Sequence, residues 1–298
     1  MKQNQIDRVW RWQITASAAA ALLIACLLGV GFGPVNLDFG SIIRTLLGLP
    51  NGLENEDRTL LLELRLPRVV LGALVGAALA TSGAVYQSVF RNPLADPYLL
   101  GVASGAGLGA TIAITNGGGD LHALLPIFAF LGGVLAVAAT FLVAGRLFAD
   151  PSTLLLAGIA VGSFATAFQT YLQQRNSAAL RPVYSWILGE LTVANWDVVK
   201  WAGFYILIAL AVLIRISKVL DALMLSDEEA YSLGVSPQKI RMIAVAAATL
   251  ATATAVSASG LIGFVGIVVP HLVRGLTKRA TNRSLLSIAF VGAAFLVI

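Results

Sequence analysis

Apolar runs long enough to cross a bilayer recur along almost the whole chain, and no other feature constrains its fold as tightly. A helix needs about 20 apolar residues to traverse ~30 Å of hydrocarbon. Such runs stand near 14–33, 69–90, 123–145, 153–173, 197–214 and 240–259. Those at 98–115 and 261–273 are shorter, and another begins near Leu285 and reaches the end at Ile298. Inside a bilayer each backbone amide and carbonyl must be satisfied by the segment itself, so runs of this length are helices. Only 12% of the residues are charged, against about 25% in soluble domains. The expectation is an all-α, polytopic membrane helical bundle, with 1–298 as one transmembrane domain. Its 29 glycines suit helices whose backbones approach closely.

The first run follows Lys2, Arg8 and Arg11 and exceeds the 7–15 residues of a signal-peptide core, so it reads as a retained helix. The final run is short and lacks a flanking charge, which predicts that the chain stops before its last span is complete. Cys26 lies inside the first run and reads as a small buried hydrophobe. The net charge of +5 comes from basic residues scattered singly between spans, so nucleic-acid binding is not expected. With alternating spans and a cytoplasmic N-terminus, 13 of the 20 Lys and Arg fall inside, among them Arg91, Arg215, Lys218, Lys239, Arg241 and Arg274. Arg44, Arg58, Arg65, Arg68, Arg175, Arg181 and Lys200 fall outside. The positive-inside bias therefore places the N-terminus and the insert 215–241 in the cytoplasm.

Chemistry-bearing groups are few. His122 and His271 stand apart, and no cluster has metal-ligand spacing. There is no Gly-x-x-x-x-Gly-Lys-Ser/Thr phosphate loop. No ionisable residue sits at the centre of a run, whereas ion-coupled carriers place acids or histidines at depth. The chain reads as neither an enzyme nor a cofactor binder, and its energy source is sought outside it. Gly101, Gly105 and Gly109, four apart, predict a close helix contact. Gly260, Gly263 and Gly266, three apart before Pro270, predict a short, closely packed or flexible helix.

The charged insert is the one polar stretch with its own architecture. Ser226 stands where a helix N-cap would, and Asp227, Glu228 and Glu229 oppose the positive end of that helix. Ala230, Tyr231 and Leu233 continue it, and Gly234 can end it in the left-handed region. Ser236 then caps a following helix with Pro237, a favoured residue, at its first position. A capped solvent loop and a helix pair presented to a partner both fit this pattern.

Four stretches carry a resemblance to a known family. They are RLPRVVLGALVGAALATSGAVYQSVFRNPLADPYLLGVASGAGLGA (65–110), LLAGIAVGSFATAFQTYL with the later WILGEL, LSDEEAYSLGVSPQKIR, and GLIGFVGIVVPHLVR (260–274). Nearly end to end, the chain resembles FecCD-type permeases, the membrane subunits of bacterial importers for iron siderophores, haem and cobalamin. The resemblance implies a ten-span fold, of which about nine spans are present here. It also implies an inner-membrane assembly of two permeases, identical or sister, with two ATP-binding subunits inside and a substrate-binding protein outside.

By the same resemblance, Ser226, Asp227, Glu228, Glu229, Ala230, Leu233 and Gly234 belong to a motor-coupling segment spanning 218–240. Arg65 and Arg68 would meet the binding protein. Gly83, Gln87, Asn92, Pro93, Gly101, Gly105, Gly263, Gly266 and Pro270 would serve pathway and packing. The expected function is ATP-driven import of an iron chelate, haem or a corrinoid; the alternative is an ion-coupled carrier of a small solute.

Overall fold

The apolar runs fold into helices, and in chain order they are α1 (Lys2–Gly31), α2 (Phe39–Leu46), α3 (Asn55–Thr59), α4 (Leu66–Val89), α5 (Val102–Asn116), α6 (Leu121–Val143), α7 (Pro151–Arg175), α8 (Leu180–Ile187), α9 (Trp196–Leu220), α10 (Asp227–Ser232), α11 (Pro237–Ser259), α12 (Val265–Thr277) and α13 (Leu285–Val297). This computed structural model describes residues 2–298 apart from 51, 117–120, 146–150, 193, 225–226 and 278–283, and only the backbone of 2–12, 121–123 and 222. No strand occurs among the described residues.

Among the described residues six helical stretches are long and apolar enough to cross a membrane: Gln13–Gly31, Asn55–Val89, Leu124–Val143, Pro151–Arg175, Trp196–Leu220 and Pro237–Ser259. α5, α12 and α13 are apolar but only 15, 13 and 13 residues long. At 1.5 Å per residue a helix of that length covers only ~20 Å. The irregular segments 91–101 and 260–264 carry the chain toward α5 and α12. Backbone of that kind is tolerated at membrane depth where protein surrounds it.

The fold therefore departs from the expected runs in two places. The run 261–273 does form one short helix, but it starts only at Val265, because Gly260 ends α11 at φ 69° and residues 261–264 are irregular. The mixed stretch 34–68 is largely helical, and the second span begins at Asn55 rather than near Val69. Residues Leu60–Arg65 form a π-helical turn in that span. Pro67 explains it: proline cannot donate to the carbonyl four residues back and its ring crowds that carbonyl, here Glu63. The Leu66 amide bonds Leu61 O instead, five residues back.

α4 and α11 form the centre. Nearly every side chain of α4 from Leu71 onward is buried, and α11 is buried from Ala247 to its end save for the half-buried Leu250. α4 packs against α13, α11, α9 and α12, while α11 also meets α6. Glycine permits the closest approaches. A Cβ on Gly83 would lie 2.0 Å from Gly266 O, and one on Gly76 would lie 2.2 Å from Gly292 O. Of Gly101, Gly105 and Gly109, the latter two make the close contact, their virtual Cβ atoms falling 2.3 Å from Gly132 O and 2.0 Å from Phe128 O on α6, whereas that of Gly101 meets nothing nearer than 3.7 Å. Around this centre α1, α6, α7 and α9 expose Leu23, Leu142, Leu156 and Leu207 outward. An apolar exterior of this extent marks contact with lipid.

Candidate functional site at the helix ends around Asp227

The crossover from α9 to α11 is a built structure. α9 runs to Leu220, a 3-10 turn covers Asp221–Met224, and α10 follows. Leu220, Leu223 and Ala230 are fully buried and seat the crossover on the bundle. Gly234 takes φ 75°, with Gly234 N donating to Tyr231 O (2.9 Å) and Val235 N to Ala230 O (3.0 Å). That is a Schellman ending, which the sequence predicts at this glycine. Ser236 stands at the N-cap of α11 without a side-chain capping bond, and Ser226 lies outside the described residues. Glu228 and Glu229 are exposed, as are Met224, Tyr231 and Leu233, the last at 65%. The crossover thus offers solvent a face that is both apolar and acidic.

Asp227, with 44% of its side chain exposed, differs from Glu228 and Glu229 in being gripped by two arginines of the bundle. Its carboxylate accepts from Arg91 Nη2 (2.7 Å), Arg241 Nη2 (2.7 Å) and Arg241 Nη1 (3.2 Å). Arg91 follows α4 and Arg241 lies in the first turns of α11. Arg91 Nε also donates to Leu223 O at 2.7 Å. The Arg241 hydrogen bonds, then the Arg241 charge, then the hydrogen bond and charge of Arg91, hold the Asp227 carboxyl below the usual carboxylate range against the opposing effect of burial.

A carboxylate with a lowered native pKa stabilises the folded form above its unfolded value of about 3.9, and that contribution is lost as pH falls through the native value. The seat of α10 is therefore expected to be constant from pH 5 to 8 and to loosen only below about pH 4. A spin label at Leu233→Cys in a Cys26→Ser background checks this. A mobility change between pH 5 and 8 that disappears in Asp227→Asn would contradict it.

One turn deeper on α4, the buried Gln87 ties three segments together. Its Nε2 donates to Gly266 O (3.1 Å) on α12 and to Ala95 O (3.3 Å), and its Oε1 accepts from Arg274. Asn92 accepts from Leu94 N (2.9 Å) and shapes the turn at the exposed Pro93. Gly266 abuts Pro97, and Pro270 is buried inside α12. Gly101 takes φ 85° at the entry to α5. Gly263 has no atom within 4 Å of a virtual Cβ, so the structure gives it no close packing contact.

At the opposite end the two arginines of RLPR part company. Arg65 is 8% exposed and donates to Val30 O (3.0 Å), Gly31 O (3.1 Å) and Val35 O, closing the C-terminal end of α1. Arg68 is exposed. Arg91, Arg241 and Arg274 do not stand out in the sequence, where they register only as scattered positive charges. The signal that could have found Arg91 is its place directly ahead of Asn92-Pro93, at a helix end where glycine is usual.

A lipid-facing bundle around two buried helices, with a seated crossover at one end, defines a polytopic helical permease. The chain belongs to the FecCD transport family, whose model matches residues 21–298. It is 41% identical over 236 residues to the cobalamin import system permease protein BtuC of Halobacterium salinarum, covering 78% of this chain and 63% of that protein. It is 31% identical to the Fe(3+)-citrate import system permease protein YfmE of Bacillus subtilis, covering 94% and 83% respectively. The hemin transport system permease protein HmuU of Yersinia pestis is 34% identical, covering 93% of this chain and 82% of that one. A solved inward-facing metal-chelate type ABC transporter superposes with a TM-score of 0.85 at 28% identity, covering 96% of this chain and 88% of that one.

Proposed function

We propose that the chain, as a single transmembrane domain, is the permease subunit of an ATP-driven importer in the bacterial plasma membrane. Its cargo is a metal-bearing chelate or macrocycle of the iron-chelate, haem or corrinoid class. The observation that carries this reading is the crossover: an α10 whose apolar and acidic face is exposed while Ala230 seats it on the bundle. Soluble ATP-binding subunits, two per assembly, would dock there, with Glu228, Glu229, Tyr231 and Leu233 at the contact. The N-terminus then lies in the cytoplasm, as the Lys and Arg distribution also favours.

A second permease copy, identical or a sister chain, is favoured by α7. Its exposed side carries Ser163, Thr166 and Thr170 beside an aromatic ladder of Phe164, Phe168 and Tyr171. Hydroxyls suit a partner helix or a polar passage better than acyl chains. Between α7 and the segment 96–104 lies an open hollow of about 690 Å³ lined by Asp96, Ser104, Ser163 and Thr166. A binding protein would dock at the Arg68 end. The ion-coupled alternative finds little support, since α4–α7 and α11–α13 contain no Asp or Glu.

The test is uptake by proteoliposomes holding this chain, its cognate ATP-binding subunits and binding protein, offered cyanocobalamin, haemin and ferric citrate in turn. At least one should accumulate only with ATP and continue when ion gradients are collapsed. Glu228→Arg with Glu229→Arg should cut that uptake at least tenfold. Gradient-driven uptake without ATP would overturn the reading.

A further inference from the structure

We propose that Asp227 is a positioning residue: the joint through which displacement of α10 is passed into the two buried helices, and not part of the surface that meets the ATP-binding subunit. This rests on the reading that α10 is where that subunit docks.

Four observations converge on it. First, the carboxylate, although 44% exposed, is bonded by two cations from different helices, Arg91 after α4 and Arg241 on α11, so a single side chain links α10 to both members of the buried centre. Hydrogen bonds between ionised partners are the strong ones, and a carboxylate gripped from two sides is fixed in direction as well as distance.

Second, Arg91 occupies a position that glycine normally fills. α4 ends with Arg91 N donating to Ser88 O (3.4 Å) and Asn92 N to Gln87 O (3.1 Å), and Arg91 itself sits at φ 51°. A side chain in the left-handed region costs roughly 1–2 kcal/mol. Such strain persists where surrounding structure holds it, and it clusters where geometry serves a function. Here it sends the guanidinium to Leu223 O, within the link from α9 to α10, and to Asp227 at the start of α10.

Third, α10 has a small apolar footing on the bundle. Its main neighbours are the turn Asp221–Met224 and the start of α11, with Ala230 as its one buried residue. A six-residue helix on so small an apolar footing cannot transmit force through packing alone, whereas charged tethers to α4 and α11 act in both directions. Fourth, the tether leads onward. Gln87, one turn before Arg91, bonds Gly266 O at the start of α12 and Ala95 O in the segment before α5, and receives Arg274. A shift at the end of α4 therefore reaches the two interrupted spans.

The test uses the assembled transporter in nanodiscs, with its ATP-binding subunits and its cognate binding protein loaded with whichever of cyanocobalamin, haemin or ferric citrate it retains. The readout is the ratio of ATP hydrolysis with the binding protein to hydrolysis without it, a signal that must cross the permease. Asp227→Asn keeps the shape and removes the charge. Arg91→Gly removes the guanidinium while relieving the backbone. Both are expected to assemble with the ATP-binding subunits in the normal ratio, and both should lower the stimulation ratio about tenfold. Asp227→Glu should restore most of it.

Arg91→Gly separates this role from a merely structural one, because glycine at φ 51° should leave thermal stability equal or higher while transmission is lost. Stimulation that survives in both variants would overturn the proposal. Failure of Asp227→Asn to assemble would also overturn it, by moving Asp227 onto the docking face. If the unaltered chain itself fails to assemble with ATP-binding subunits, the underlying reading of α10 falls, and the joint with it.

Discussion

Gly83→Val is expected to prevent recovery of a folded protein. The first added carbon would stand 2.0 Å from Gly266 O and 2.6 Å from Gly266 Cα, backbone atoms that no rotamer change can move. α4 and α12 would have to separate, and the Gln87 bond to Gly266 O would open with them. Overpacking in a core costs roughly 1–3 kcal/mol where side chains can yield; here only whole helices can, and the cost is expected to exceed that range. Yield of monodisperse protein in detergent is the measurement. Gly203→Ala is the control, since its Cβ meets only Leu74 Cδ1 at 3.4 Å, and it should be recovered normally. Equal recovery of Gly83→Val would show that α12 is not held against α4 by that glycine pair.

The second large effect divides two arginines that the sequence presents as equals. Arg65→Ala should strongly destabilise the protein, because it removes the donors that close α1 and leaves the carbonyls of Val30, Gly31 and Val35 unanswered. Each buried polar group left without a partner costs about 1–3 kcal/mol. The losses share one side chain and will not add fully, so about 3 kcal/mol is expected. Arg68→Glu should leave stability within about 0.5 kcal/mol, as exposed substitutions usually do, while weakening binding-protein docking at least tenfold. Thermal unfolding and binding to the cognate protein, measured on both variants, decide it. A stable Arg65→Ala with impaired docking would return Arg65 to the interface.

How far the molecule can be read from its sequence follows from the range of the forces involved. Span identity is a local property, the sum of apolar residues over a window, so the runs at 153–173, 197–214 and 240–259 lie within a few residues of their helices except where charged ends extend them, as α9 does to Leu220. The interrupted spans are less visible. The apolar content of 261–273 is continuous, and only Gly260 and Phe264, both at positive φ, show where the helix is absent. Residues three apart in a helix share a face, so spacing alone presents Arg65 and Arg68 as equals; what separates them is that Arg65, the last residue of the π turn, reaches the end of α1 while Arg68 is exposed. The grip on Asp227 joins residues 136 and 14 positions apart, a pairing that no local pattern encodes.

The glycine contacts that let α4 touch α12 and α13 also bear on the order in which the protein can be completed. Gly76 meets Gly292, about 200 residues further along. At a synthesis rate of 5–20 residues per second, α4 emerges on the order of 10–40 s before the helices that enclose it. For that interval its small-residue face has no permanent neighbour, and the nascent chain must shield it with lipid, the insertion machinery or transient contacts. The most buried span of the finished permease is thus one of the last to reach its final surroundings.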